Sequence, residues 1–217
     1  MLEENTGKPA SDVQGSLTYI LAIAGLAALA RGDFPLARRW CDQAVLANQT
    51  DTTRNGIMFV QIVLGLIALK VGVINAAQDQ LRAGMVYFRD EYQTGVMEYV
   101  DRDFGLALAL TGASCAAVRS GDSAAAADFL SQAVHHAIRL NVTAYALMTL
   151  IPAAEIAIAV SNADQAARLA GLAARHPHTF AADRAAAELL LKQLPDVPDD
   201  ESDLWELVEE WVESFDS

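Results

Sequence analysis

Cysteine is scarce in this sequence, and signals for β-structure are nearly absent. Only two cysteines, Cys41 and Cys115, occur in 217 residues, both in apolar, helix-like stretches. A chain of this length can bury a core without disulfides, so we expect reduced, buried thiols, which fits a cytoplasmic protein. No run alternates apolar and polar residues with β-branched enrichment, whereas Ala, Leu, Glu and Arg are abundant. The sequence therefore predicts an all-α fold.

Basic residues are also few. The chain carries 15 Lys and Arg against 28 Asp and Glu, a net charge of -13, and it has no basic stripe. Ten of the acidic residues lie between Asp196 and Ser217, where no Lys or Arg occurs. Phosphate backbones and anionic lipid surfaces repel such a chain, so we expect no nucleic-acid partner and no membrane partner.

The apolar run at residues 17–30 is shorter than the roughly 20 residues that a membrane-spanning helix needs. A secretory signal is the alternative interpretation, because residues 28–30 fit a cleavage site. The preceding Glu3, Glu4 and Asp12 give the segment the wrong charge for a signal peptide. We therefore interpret the run as a buried first helix.

Motifs for catalysis and metal binding are missing as well. There is no Gly-x-x-x-x-Gly-Lys-Ser/Thr phosphate loop, no Ser-His-Asp order, and no His-x-x-x-His or Cys-x-x-Cys spacing. His135 and His136 are adjacent, and His176 and His178 lie at a helix end, so we expect surface or capping histidines. The charged residues 101–103 are expected to be a solvated helix cap. We expect no enzyme activity, no catalytic residue, no cofactor and no metal.

What the sequence does contain is a fourfold repeat of two helix-like segments joined by a short turn. The turns lie at Gly32-Asp33, Gly72, Gly121-Asp122 and Asn162-Ala163-Asp164. Eleven of twelve residues are small at the positions seven before, five after and twelve after the turn: Gly25, Gly65, Ser114, Glu155; Ala37, Ala77, Ala126, Ala167; Ala44, Gly84, Ala133, Ala174. Small residues let two helix axes approach to about 8–10 Å, so the pattern indicates an α-solenoid of antiparallel helix pairs.

The chain is predicted to have three parts. Residues 1–16 form a flexible lead, 17–194 a helical-repeat domain, and 195–217 an acidic linker with a C-terminal amphipathic helix. Nine or ten helices are predicted, at 17–31, 35–48, 54–71, 74–90, 95–120, 123–140, 142–161, 163–175, 179–194 and 203–215. The insert at residues 90–95 interrupts the repeat most.

Two segments, LAALARGDFPLARRWCDQAVLA and AAVRSGDSAAAADFLSQAVHHA, resemble tetratricopeptide repeats. A third, AARLAGLAARHPHTFAADRAAAELLLKQL, resembles segments that close the C-terminal helical-repeat regions of MalT-like and LuxR-type bacterial regulators and related signal-transduction ATPases. The resemblance implies a tetratricopeptide-like superhelix that acts as a regulatory scaffold, a sensor or docking module of a larger bacterial signalling or transcription-regulation system.

The resemblance also implies that the first helix of each pair lines a concave groove. Offsets from the turns place these candidates there: Tyr19, Leu26, Phe59, Ile62, Leu66, Lys70, Thr111 and Arg119. An apolar groove of this kind would hold an amphipathic helix of a protein or peptide partner. The alternatives are a small-molecule effector in an apolar cavity, or helices packed so tightly that no groove remains.

The C-terminal segment combines acidic residues with a regular apolar face. Its candidate docking residues are Leu204, Trp205, Val208, Trp211, Val212 and Phe215. So many large apolar side chains are costly to leave in water, each gaining about 1.5 to 3 kcal/mol on burial. We expect this helix to dock on the last repeat. The alternatives are docking in the groove, a dimer contact, or binding to another protein.

Overall fold

The computed structural model describes residues 10–48, 54–91 and 98–195 together with Leu204 and Leu207. Within these residues it contains nine α-helices and no strand, which confirms the all-α prediction. The helices are α1 (Ala10–Ala30), α2 (Phe34–Ala47), α3 (Arg54–Lys70), α4 (Ile74–Val86), α5 (Glu98–Arg119), α6 (Ser123–Leu140), α7 (Thr143–Ala159), α8 (Ala163–Arg175) and α9 (Ala181–Leu191). Helix α1 begins at Ala10, so part of the segment predicted as a flexible lead is helical. None of the described helices is long and apolar enough to cross a membrane.

In each of the four helix pairs, the same kind of short turn joins the first helix to the second. The second residue after the first helix of each pair is left-handed, with φ of 79° at Gly32, 81° at Gly72, 86° at Gly121 and 62° at Ser161. The next N–H donates to the carbonyl five residues back, over 2.8 to 3.0 Å in the four turns. This is the Schellman motif, and it favours glycine because a Cβ is strained at positive φ.

The fourth turn lies one residue earlier than the sequence predicted. Its left-handed residue is Ser161, and Asn162 caps helix α8 instead. In this register the small residues of the fourth pair are Ala154, Ala166 and Ala173, in place of Glu155, Ala167 and Ala174. All twelve residues at the repeat positions are then small, and all twelve are buried.

These small residues lie where the two helices of a pair cross. A Cβ built at Gly65 would lie 3.4 Å from the Ala77 carbonyl oxygen and 2.8 Å from Leu81 Cγ. At the same position of the third pair, Ser114 Oγ donates a hydrogen bond to the Ala126 carbonyl at 2.8 Å. In the second and third pairs this position of the first helix therefore lies directly against the backbone of the partner helix, which leaves little room for a large side chain.

Side chains also fix where the second helices begin. Asp33, Asp122 and Asn162 each accept a hydrogen bond from the N–H three residues later, at 3.0 to 3.2 Å. Such caps satisfy backbone donors that have no partner inside the helix. The helix starts are thus specified locally.

The first helices of the pairs, α1, α3, α5 and α7, form a row in which each contacts the next. Helix α9 packs on α8 and also contacts α7 and α1, the last and first helices of that row. Helix α9 has 11 residues and is therefore about 16 Å long. The row must be strongly curved for one short helix to reach both of its ends. The described part of the chain is thus a curved helical repeat with α9 across its inner side.

The irregular segment between the second and third pairs starts as a π-helical turn, Tyr87–Glu91, which continues α4. Arg102 of α5 holds this turn, because its Nε donates to the Phe88 carbonyl at 3.0 Å. The Phe88 ring packs over Gly105, where a Cβ would lie 2.7 Å from the ring. It also packs edge-on against Phe59, with 4.8 Å between the ring centroids. The segment that follows α4 therefore begins as packed structure, and residues 92–97 lie outside the described part of the chain.

Candidate functional site

A pocket opens on the inner side of the curved row and is lined by residues of five helices or the segments that begin them. Its lining residues are Leu26, Leu29 and Ala30 of α1; Leu66, Leu69 and Lys70 of α3; Thr111, Gly112, Cys115 and Arg119 of α5; Met148, Ile151 and Pro152 of α7; and Phe180, Ala182 and Asp183 at the start of α9. The second helices of the first four pairs contribute none of these residues. The walls are mostly aliphatic, and the few polar groups come from α3, α5 and α9.

The pocket is small. Its cavity volume is about 60 Å³. A cavity needs about 10 to 15 Å³ to hold one water, so this pocket has room for more than one water but for little else. It can accept one apolar side chain or a ligand of similar size, and it cannot accept a whole amphipathic helix.

The structure brings five of the eight predicted groove residues together. Leu26, Leu66, Lys70, Thr111 and Arg119 all line the pocket. The offset rule from the turns therefore located the inner side of α1, α3 and α5.

The other three predicted groove residues lie in the core. Phe59 and Ile62 are fully buried, and Tyr19 packs edge-on against Phe59 with 5.0 Å between centroids. Ile62 points towards α4, where it fills the space above Gly84; a Cβ built at Gly84 would lie only 2.4 Å from Ile62 Cγ1. Because Gly84 has no side chain, Ile62 can pack into the space beside it, and the isoleucine therefore faces α4 and not the groove.

Two ion pairs mark the end of the pocket nearest the turns. Lys70 Nζ lies 3.3 Å from Asp183 Oδ1, and Arg119 Nη2 lies 2.7 Å from Glu155 Oε1. Arg119 Nη1 also donates to the Leu69 carbonyl at 3.2 Å, so this side chain ties α3, α5 and α7 together. Each cation is matched by one carboxylate, and the four side chains carry no net charge together.

Helix α5 presents a polar stripe to the pocket, formed by Thr111, Cys115 and Arg119 at four-residue spacing. Thr111 is buried in the wall of the pocket. Burial, with a further contribution from Glu155, raises the pKa of the Cys115 thiol to about 12. The thiol is therefore mostly protonated at neutral pH, and a protonated thiol is a poor nucleophile.

Helix α9 closes the pocket, a position that no pattern in the sequence indicated. Phe180, Ala182 and Asp183 line one side, and the ion pair between Lys70 and Asp183 connects α9 to α3. Burial raises the pKa of Asp183, and the nearby Lys70 opposes that shift. The groove residues were predicted by their offsets from the four turns. Helix α9 follows the fourth pair and has no such turn, so this rule could not assign any of its residues to the groove.

A second charged cluster joins α5 to α6. Asp103 is buried rather than a solvated cap, because its carboxylate lies 2.9 Å from His136 Nδ1 and 3.2 Å from Arg139 Nη2. Burial lowers the pKa of His136, although Asp103 and its hydrogen bond oppose that shift, so the imidazole is neutral at pH 7. His135, in contrast, is exposed as expected. Among the described residues no group of three or more His, Cys, Asp or Glu could hold a metal ion.

The C-terminal candidates can be placed only in part. Leu204 and Leu207 are buried and belong to the main core. The other candidates, Trp205, Val208, Trp211, Val212 and Phe215, lie outside the described residues. The burial of two leucines of this segment favours docking on the repeat domain.

The chain matches no protein-family model, and no curated protein or solved structure is significantly similar to it. The interpretation of the pocket therefore depends on the residues of this chain and their geometry.

Proposed function

We propose that this chain is a non-enzymatic regulatory scaffold, a tetratricopeptide-like repeat that recognises a protein or peptide through the pocket on its inner side. The observation that supports this most strongly is the convergence of α1, α3, α5, α7 and α9 around one mostly aliphatic pocket. Repeat proteins of this type use the concave side as their binding surface.

The size of the pocket defines the kind of contact. Because its cavity volume is only about 60 Å³, it suits one apolar anchor side chain of a partner rather than a whole helix. Leu66, Leu69 and Ile151 form an aliphatic wall, while Lys70 and Arg119 stand at the rim. Such an arrangement fits a peptide with one buried apolar residue and flanking polar groups, because fully desolvated anchors supply most of the energy of a protein interface.

The test is a matched pair of variants in α9. Ala182 lines the pocket, whereas Ala185 of the same helix is exposed. Ala182→Leu should fill the pocket, and Ala185→Leu should leave it open. Peptides selected on the wild-type chain from a displayed random library should bind Ala185→Leu unchanged and bind Ala182→Leu at least tenfold more weakly, measured by calorimetry. Selected peptides that bind both variants equally would contradict the proposal, as would a library that yields none.

A small-molecule effector is the second candidate, and Thr111 is the observation that favours it. A threonine hydroxyl in a mostly aliphatic wall suits a compact, uncharged ligand that carries one hydrogen-bonding group. A thermal-shift screen of such compounds would detect it. A true hit should lose its effect in Ala182→Leu and keep it in Ala185→Leu.

The resemblance to MalT-like and LuxR-type regulators extends this proposal to a sensor or docking module of a bacterial regulatory system in the cytoplasm. The charge of -13 supports partners other than nucleic acid or anionic membrane. The protonated state of the Cys115 thiol supports the absence of nucleophilic catalysis in the pocket.

A further inference from the structure

The polar end of the pocket is formed by Lys70, Arg119, Asp183 and Glu155. A lysine ammonium carries three N–H donors and an arginine guanidinium carries five. The hydrogen bonds to described residues use one donor of Lys70, to Asp183, and two of Arg119, to Glu155 and to the Leu69 carbonyl. Both cationic side chains line the pocket. This end therefore holds N–H donors beyond those three bonds, and a bound group could use them.

The two cations are more open to solvent than the carboxylates that they pair with. The Lys70 side chain is 26% exposed against 15% for Asp183, and that of Arg119 is 33% exposed against 18% for Glu155. The second carboxylate oxygen of Glu155, Oε2, is buried and has no hydrogen-bond partner among the described residues. A group that enters the pocket therefore reaches the N–H donors more readily than the carboxylate oxygens.

The four charges also oppose one another at the pocket wall, where Cys115 lies. Burial raises the pKa of the Cys115 thiol to about 12, and the charges of Glu155 and Asp183 add to that shift. The charges of Arg119 and Lys70 oppose it. The wall is thus within reach of all four groups, and the two cations do not act there as an unopposed positive site.

We propose that the pocket binds an aliphatic group next to an uncharged hydrogen-bond acceptor, supplied in a protein partner by a backbone carbonyl, and that it rejects carboxylates. This inference rests on the proposed function, because it concerns the same pocket. A bound carboxylate would compete with Asp183 or Glu155 for a cation, and a mostly buried carboxylate that loses its counter-ion is costly. A neutral carbonyl can accept a further N–H and leave both ion pairs in place. The partner should therefore bind through an internal segment, with neither a terminal carboxylate nor an acidic residue beside the anchor.

Two small probes test this inference. 3-Methylbutanamide and 3-methylbutanoate both carry the isobutyl group of a leucine side chain, and at pH 7 they differ in the charge of the head group. Met148 lines the pocket, so the NMR signal of its labelled methyl group reports binding. The amide should bind with a Kd at least about tenfold lower than that of the carboxylate. A carboxylate that binds as tightly as the amide, or an amide that does not bind, would overturn the inference.

Charge variants test the physical cause. Asp183→Asn and Glu155→Gln each remove one negative charge from the polar end and leave a cation without its ion pair. Each should bind 3-methylbutanoate at least about tenfold more tightly than the wild type does. Asp164→Asn in α8 is the matched control, because it removes the same charge from an exposed residue outside the pocket; it should change neither Kd. Unchanged carboxylate affinity in both pocket variants would contradict the role of the ion pairs.

Peptides separate a failure of this inference from a failure of the proposed function. Those selected from the displayed library should bind equally well with a free and an amidated C-terminus. Selected peptides that need a free carboxylate would overturn this inference and leave the proposed function standing. An empty library together with tighter binding of the amide probe would contradict a protein partner and support the inferred chemistry of the pocket.

Discussion

Two glycines in second helices offer a direct test of how tightly the pairs are packed. Gly84 of α4 lies at a crossing, where a Cβ would stand 2.4 Å from Ile62 Cγ1 and 2.9 Å from its Cδ1. Ile62 is β-branched and fully buried, so it has little freedom to move aside. Gly171 of α8 is also buried, but there a Cβ would meet only the guanidinium of Arg175, at 3.0 Å, at the far end of a long side chain.

Changing each glycine to alanine gives opposite results. Removing a mid-helix glycine stabilises a helix by about 0.5 to 1 kcal/mol, and Gly171→Ala should show this gain. Overpacking a filled core costs about 1 to 3 kcal/mol, so Gly84→Ala should be less stable than wild type by up to about 2 kcal/mol. Both variants share the gain from replacing a mid-helix glycine. The difference between their free energies of unfolding therefore measures the cost of overpacking alone, about 1 to 3 kcal/mol.

Urea unfolding followed by circular dichroism measures that difference. In thermal unfolding it corresponds to about 2 to 12 °C between the two variants, at about 2 to 4 °C per kcal/mol for a chain of this size. If Gly84→Ala proved as stable as Gly171→Ala, α4 would not approach α3 as closely as described, and the crossing at the small residues would be wrong.

Three further measurements address the pocket and the C-terminal segment. Because burial raises the pKa of Asp183 above its ordinary 3.8, the folded protein binds this proton more tightly than the unfolded chain does. The stabilisation from that proton is complete below a pH of about 3.8 and disappears as the pH rises through the folded pKa. Relative to Asp183→Asn, the wild type should therefore gain stability as the pH falls from 7 to 4; a difference that does not change with pH would contradict this. Cys41 and Cys115 should react with a thiol reagent at pH 8 only after unfolding in urea, and rapid modification of the folded protein would refute their protonated, shielded state. Leu207→Ala should lower the free energy of unfolding by about 2 to 5 kcal/mol, because Leu207 is only 2% exposed; calorimetry showing no loss would place that segment outside the core.

The sequence predicted those parts of the fold that depend on local chemistry. Three of four turns were found at the correct residue, because only glycine is unstrained at the left-handed position of the motif. The fourth was placed one residue late, since Ser161 occupies that position and Asn162 beside it is the better turn former. The small residues at the crossings were visible for the same reason, as a fixed offset from each turn.

Contacts between distant segments could not be predicted in this way. The ion pair of Lys70 with Asp183 joins residues more than a hundred positions apart, and no periodicity relates them. The contact of Asp103 with His136 links two different helices, so each residue alone suggested a surface position. Ile62 was assigned to the groove by its offset, but the space above Gly84 decides its orientation.

The contact of α9 with both ends of the row also changes how the molecule should unfold. In an open array each unit touches only its neighbours, so a terminal unit can detach while the rest remains folded. Here the first helix and the last described helix touch each other, and neither end can be released without exposing the other. Bringing these ends together also requires contacts between remote parts of the chain, which slows folding. We therefore expect the described helices to unfold together in one cooperative transition, and not by stepwise loss of the terminal helices.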